Sequence, residues 1–223
     1  MLLIFDFFHI ISSIVIFHVF CKYLCKLNQL SSWYIIHAVV NFYITILCCE
    51  QIKYLLNDPI KELLNPVGYY DTTIIVAILH IYHLLFFKCT KTDIFHHLFF
   101  VTIGSFVVFV FNNGRFVALS HFFICGLPGG IDYIILFLYE FNYVEKITRL
   151  NIATYINVWI RAPGLCMVAT FAIIKFIYSK QDLFCIIELL LQIIITYGNG
   201  QFYMKEVVYS TGKFVSKKNI KNE

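Results

Sequence analysis

Apolar residues gather along this chain in seven stretches, at 3–24, 33–56, 72–87, 95–111, 116–141, 152–178 and 183–204. Most are close to the roughly 20 residues that a helix needs to cross the hydrocarbon of a bilayer. Short links rich in Asn, Asp, Pro, Gly and Lys separate them. The fifth stretch is interrupted by Gly126, Pro128, Gly129 and Gly130. Proline cannot donate a helical hydrogen bond, and glycine accepts backbone angles other residues avoid. The pattern therefore predicts unwound backbone here, with a half-helix restarting at Gly130 or Ile131 and Asp132 in its first turn. Splitting the stretch would shift the number of spans by one. The expected architecture is an all-α polytopic membrane helix bundle of about seven transmembrane helices, within six to eight. The expected organisation is a first helix and cytoplasmic linker at 1–30, a transmembrane domain at 31–204 and a basic cytoplasmic tail at 205–223.

Composition agrees. Hydrophobic residues make up 60% of the 223 residues, charged residues 13%, and the mean hydropathy is +0.79. A soluble globule could not hide that much apolar surface. A large extramembrane catalytic domain, a disordered chain and a disulfide-stapled secreted fold are excluded. The first stretch lacks a basic flank and a small-residue cleavage site, so it is expected to be a span and not a removable signal. Alternating seven spans puts eleven basic residues on one face, namely Lys22, Lys26, Lys88, Lys91, Lys146, Arg149 and the five lysines from Lys205 to Lys221. The opposite face collects five: Lys53, Lys61, Arg115, Lys175 and Lys180. By the positive-inside rule the carboxyl-terminus is cytoplasmic and the amino-terminus lumenal or external. The net charge of +4 sits mostly in the tail. It forms no dense basic stripe, so no nucleic-acid partner is expected.

Polar residues recur inside the stretches at helical spacing. His37, Asn41, Thr45 and Cys48 form one stripe, and Glu188, Gln192, Thr196 and Asn199 another. Thr154, Asn157 and Arg161 share a face, His80 and His83 lie one turn apart, and Asp132 follows the glycine-rich break. Such groups are costly at membrane depth and usually face a bundle interior or a wet cavity. Interhelical hydrogen bonding is the simpler use of any one of them, whereas a polar cavity accounts for all the stripes together. His37, Asn41, His83, Asp132, Asn157 and Arg161 are the candidate substrate-binding residues. Asp93, His96 and His97 are the candidate catalytic group. On a helix Asp93 reaches either ring, and a carboxylate that fixes an imidazole tautomer makes its other nitrogen a better base. The alternative is a helix cap at the membrane surface. Repeated histidine boxes of the kind that hold di-iron centres are absent, and no metal site is expected.

Several of these pieces, in order, resemble the TLC domain shared by TRAM, Lag1 (ceramide synthase) and CLN8 proteins. Ser31-Ser32-Trp33-Tyr34-Ile35-Ile36-His37-Ala38 resembles the opening of that domain, and Asp58-Pro59 with Tyr69-Tyr70 its first loop. His80-Ile81-Tyr82-His83-Leu84-Leu85 sits where the family often has Tyr-x-x-Tyr-Asp-Leu. Asp93-Ile94-Phe95-His96-His97 is similar to its paired-histidine motif; Asn113-Gly114-Arg115, Asp132-Tyr133, Asn157 and Arg161 follow. The resemblance implies acyl transfer at His96 and His97, with no bound cofactor and acyl-CoA as co-substrate. It also implies a lipid partner (a sphingoid base, fatty acyl chain or phospholipid), an endoplasmic-reticulum or other endomembrane location, and a homodimer as an admissible assembly. Two departures separate the chain from ceramide synthases. Their His-Asp pair before Asp-Tyr is replaced by Cys125-Gly126-Leu127-Pro128-Gly129-Gly130, and His83 stands where they have Asp. The chain is closer to the small TLC-domain proteins that influence phospholipid composition. Three functions follow: a lipid-binding cavity acting in lipid synthesis, transport or sensing; an acyl-CoA-dependent acyltransferase using His96 or His97; and a structural membrane protein without catalysis.

Overall fold

A computed structural model describes residues 2–111 and 114–220. Helix α1 (Leu2–Val19) continues through a π-helical turn, Phe20–Leu24, and α2 spans Gln29–Asn57. Asn28 caps α2, accepting the Ser31 N–H at 2.8 Å. A short α3 (Pro59–Leu64) precedes α4 (Asp71–Phe86). The fourth span is built of α5 (Lys91–Phe95), a π-turn at His96–Thr102 and α6 (Ile103–Phe111). The fifth is α7 (Phe116–His121), a π-turn at Phe122–Gly126 and α8 (Leu127–Glu140). The sixth is α9 (Lys146–Ile156), a π-turn at Asn157–Arg161 and α10 (Ala162–Tyr178); α11 is a single helix, Leu183–Ile220. Six of these seven spans are long and apolar enough to cross a membrane, and α4 is a shorter apolar helix. The molecule is an all-α, multi-pass bundle of membrane type. Its outer surface presents large apolar side chains such as Ile46 and Leu85, each 69% exposed, as contact with lipid demands.

The glycine- and proline-rich segment departs from expectation. It does not unwind, and the helix restarts at Leu127 instead of Gly130 or Ile131. The Leu127 N–H reaches back five residues to the Phe122 carbonyl, just before Pro128. The sixth span repeats the device, with Ala162 N–H bonded to the Asn157 carbonyl just before Pro163. A proline inside an α-helix clashes with the carbonyl four residues earlier. The wider π-turn relieves that clash and keeps the helix continuous. The glycines serve close packing. A Cβ on Gly129 would lie 2.7 Å from the Asn41 Nδ2, and one on Gly130 2.9 Å from the Phe42 ring. Small residues at this seam thus let α8 approach α2 closely.

Seven spans joined by short links alternate in direction. The links 25–28, 87–90 and 141–145 therefore share one face with the end of α11. Local contacts agree: Gln29 Nε2 donates to the Phe86 carbonyl at 2.8 Å, and Lys146 Nζ lies over the Phe214 ring. On the opposite face Arg115 pairs with Glu62 at 2.7 Å and donates to Gln51. Beside it Gly114 has a φ of +55° and no room for a Cβ against Pro66. Asn113, the first residue of that motif, lies outside the described residues. One apolar cluster, with Leu55, Leu63, Phe116 and Leu165, fills the bundle towards this face, and another surrounds Trp33, Ile36, Leu79 and Tyr82.

Candidate functional site

Between the spans lies a cavity of about 380 Å³. His37 and Asn41 reach it from α2, His80 from α4, and Asp93 and His96 from the start of the fourth span. Gly129, Asp132 and Tyr133 enter from α8, Asn157 and Arg161 from the sixth span, and Gln192, Thr196, Asn199 and Tyr203 from α11. Three of the four π-turns contribute to its wall. Each adds a residue to the helical repeat and so re-aims the side chains around it, which is why such turns recur at functional sites. Past His96 the fourth span lines the cavity with Phe100, Val101, Gly104, Ser105, Val107 and Val108. The lining along this helix thus turns from imidazole to mainly apolar over about 16 Å of rise.

The histidines form a contiguous cluster whose hydrogen bonds have a direction. His80 Nδ1 lies 2.7 Å from the Val76 carbonyl, which can only accept, so that nitrogen carries the proton. In a neutral ring Nε2 is then an acceptor, and it faces His96 Nε2 at 3.4 Å. His96 must therefore donate from Nε2 and accept at Nδ1. The Tyr203 hydroxyl, 2.7 Å from His96 Nδ1, is left as the donor. The chain runs Tyr203 to His96 to His80 to Val76. Both His96 nitrogens are committed within it, and Tyr203, which also lines the cavity, acts in it only as a donor.

A second pair stands behind the first. His97 Nε2 and His83 Nδ1 are 3.0 Å apart, and the His83 ring stacks on Trp33 at 3.8 Å. Both residues are buried, and His97 Nδ1 has no hydrogen-bond partner. Neither lines the cavity. The candidates therefore divide: His37, Asn41, Asp93, His96, Asp132, Asn157 and Arg161 border it, while His83 and His97 do not.

Asp93 takes the alternative role, that of a helix cap, and not that of the orienting carboxylate. Its Oδ2 accepts the Thr90 N–H at 2.7 Å and the Thr90 hydroxyl at 2.8 Å, while the Thr90 Oγ1 accepts the Asp93 N–H at 3.2 Å. This is a reciprocal capping box that starts α5. The imidazoles take their partners from each other and from Tyr203 instead. In the cavity wall the carboxylate that meets polar partners from another span is Asp132, 3.5 Å from both Arg161 Nη2 and Asn157 Nδ2. Asn157 Oδ1 in turn accepts from Arg161, whose guanidinium lies over the Tyr203 ring.

Some stripe residues serve packing. Thr45 Oγ1 bonds back to the Asn41 carbonyl and sits against Gly126, Cys48 is in the apolar core, and Glu188 pairs with Lys175. Tyr203 was not among the expected site residues. Its signal is one further step of the stripe Gln192, Thr196, Asn199, four residues on. No family model, no curated protein and no solved structure matches this chain.

Proposed function

We propose that this multi-pass protein binds one amphiphilic lipid in its central cavity and acts in membrane lipid homeostasis, as the resemblance to small TLC-domain proteins implies. One observation carries the reading. A cavity enclosed by membrane helices is polar where His96, Tyr203, Asp132 and Arg161 meet and mainly apolar along the rest of the fourth span. Arg161 and Tyr203 supply a cation and an acceptor for a headgroup, and Val107 and Val108 supply a surface for an acyl chain. An endomembrane location with a cytoplasmic carboxyl-terminus belongs to the same reading, and it puts the His96 end of the cavity nearer the cytoplasmic face. The test uses a photo-crosslinkable sphingoid or fatty-acid probe on the purified chain. Labels concentrated on 96–108, 129–136 and 199–207 are expected. Labels spread evenly over lipid-facing positions such as Ile46 and Leu85 defeat the reading.

The directed chain of hydrogen bonds favours acyl transfer as a second reading. A lipid amine would attack the thioester carbonyl of acyl-CoA, forming the C–N bond as the C–S bond breaks. The amine proton would pass to Tyr203 as the phenol proton moves to His96, and from there to the departing thiolate. Purified protein with acyl-CoA and a long-chain base is the assay. Turnover indifferent to Tyr203→Phe and His96→Ala sinks it.

A further inference from the structure

We propose that His83, Cys89 and His97 form a binding site for a borderline-soft divalent metal ion, zinc foremost, at the link between α4 and α5. Their ligand atoms all lie within 4.8 Å of one another, and the two imidazole nitrogens are 3.0 Å apart. His83 lies in the last turn of α4, Cys89 stands in the four-residue link, and His97 is in the second turn of the next span. The capping box of Thr90 and Asp93 starts that span directly after Cys89, whose thiol donates weakly to the Phe87 carbonyl at 3.9 Å and lies within 4.8 Å of both ring nitrogens. Stacking on Trp33 holds the His83 ring in place.

The donor set selects the ion. Two imidazoles and a thiolate suit zinc, and the set lacks the oxygens that magnesium or calcium require. Tetrahedral zinc with Zn–N near 2.05 Å and Zn–S near 2.3 Å places nitrogens about 3.3 Å apart and sulfur about 3.6 Å from each. The imidazole nitrogens need to part by only a few tenths of an ångström, and the sulfur to close by about 1.2 Å at most. Cys89 is half-buried in a link at the end of two spans, which gives the ion a path from water. Binding releases the thiol proton, leaves a fourth position for water and ties two successive spans together. None of the three ligands lines the cavity, so the site is independent of the lipid reading. Histidine-box spacing could not reveal it, because the third ligand is a cysteine from the link.

The full chain, stripped with chelator in detergent, is titrated with cobalt(II) as a spectroscopic stand-in for zinc. One equivalent should bind with a thiolate-to-cobalt charge-transfer band. Cys89→Ser should abolish that band, and Cys89→Ser and His97→Ala should each weaken binding at least tenfold. Cys25→Ser should leave band and affinity unchanged. A readout that needs no variant follows maleimide alkylation of the wild-type chain by mass spectrometry. Saturating zinc should slow modification of Cys89 at least tenfold and leave the exposed Cys25 at its original rate. A cobalt spectrum that persists in Cys89→Ser, or an alkylation rate at Cys89 that zinc does not change, overturns the proposal.

Discussion

Tyr203 and His96 are the residues whose chemistry depends most on a single proton position. The Val76 carbonyl sets the tautomer of His80, and His80 sets that of His96. Nitrogen-15 spectra of the histidine rings should find His80 protonated at Nδ1 and His96 at Nε2. A His96 ring protonated at Nδ1 would reverse the chain and make Tyr203 an acceptor. Tyr203→Phe should cost only about 1 kcal/mol of stability, because one neutral hydrogen bond is lost. Arg161→Ala is a harsher change. It takes away the cation 3.5 Å from Asp132, whose side chain is one-fifth exposed, so the loss should be about 2–3 kcal/mol, short of the roughly 3–5 kcal/mol typical of a fully buried pair. Thermal unfolding in detergent should separate the two variants clearly. Asp132→Asn combined with Arg161→Ala should recover part of the loss.

Among the elements, the continuous fifth and sixth spans depend on proline being placed after a π-turn, with one residue between them, and on small residues at the seams. Gly164 is the tightest case, since an added Cβ would fall 2.1 Å from the Phe123 ring. Gly164→Ala forces Phe123 out of its place, a change that typically costs about 1–3 kcal/mol. Gly198→Ala, with nothing within 4 Å, is the matched control and should be neutral or stabilising in a helix. Equal melting temperatures for the two would refute this account. The start of α11 carries a pH signature. The Asp182 carboxylate accepts the Cys185 N–H at 2.9 Å, and that bond holds its pKa below the ordinary carboxylate value. A depressed folded-state pKa means the cap is fully present above the ordinary range and is lost as pH falls through the lowered value. Amide exchange in the first turn of α11 should accelerate in that acidic window, beyond the intrinsic rate, and the extra step should vanish in Asp182→Ala.

For the whole molecule, orientation and the long last helix decide what meets water. Helix α11 has 38 residues, about 57 Å at 1.5 Å per residue, against roughly 30 Å of hydrocarbon. Its outer turns extend beyond the bilayer and pack on α9, where Thr211 and Thr154 hydroxyls meet at 2.8 Å. The basic tail is thus a helical continuation of the seventh span as far as Ile220. The lysine and arginine asymmetry predicts its side. Glycosylation acceptor sites inserted in the link 65–70 should be modified, and those in the link 141–145 or at the tail should not. The reverse pattern would invert the topology.

Much of this was legible in the residue order, for a physical reason. In a bilayer each backbone polar group must be satisfied within its own segment. Apolar length alone therefore locates helices, and six of the seven predicted starts fall within four residues of those found. The sixth span begins earlier, at Lys146, because its first turns carry Lys146, Arg149 and Asn151, polar residues that hydropathy reads as part of the link. The same limit hid the extension of α11. Stripe spacing identified His37, Asn41, Asn157 and Arg161 as inward-facing because helical periodicity is local. It could not tell that Thr45 would sit against Gly126 or that Glu188 would pair with Lys175, since partners across helices are not written in one helix. Nor could it show that Pro128 would be absorbed by a π-turn, decide between the orienting and capping readings of Asp93, or pair His96 with Tyr203, 107 residues away in the chain. Those outcomes depend on which side chains arrive together when the spans pack, and on each buried donor needing an acceptor there.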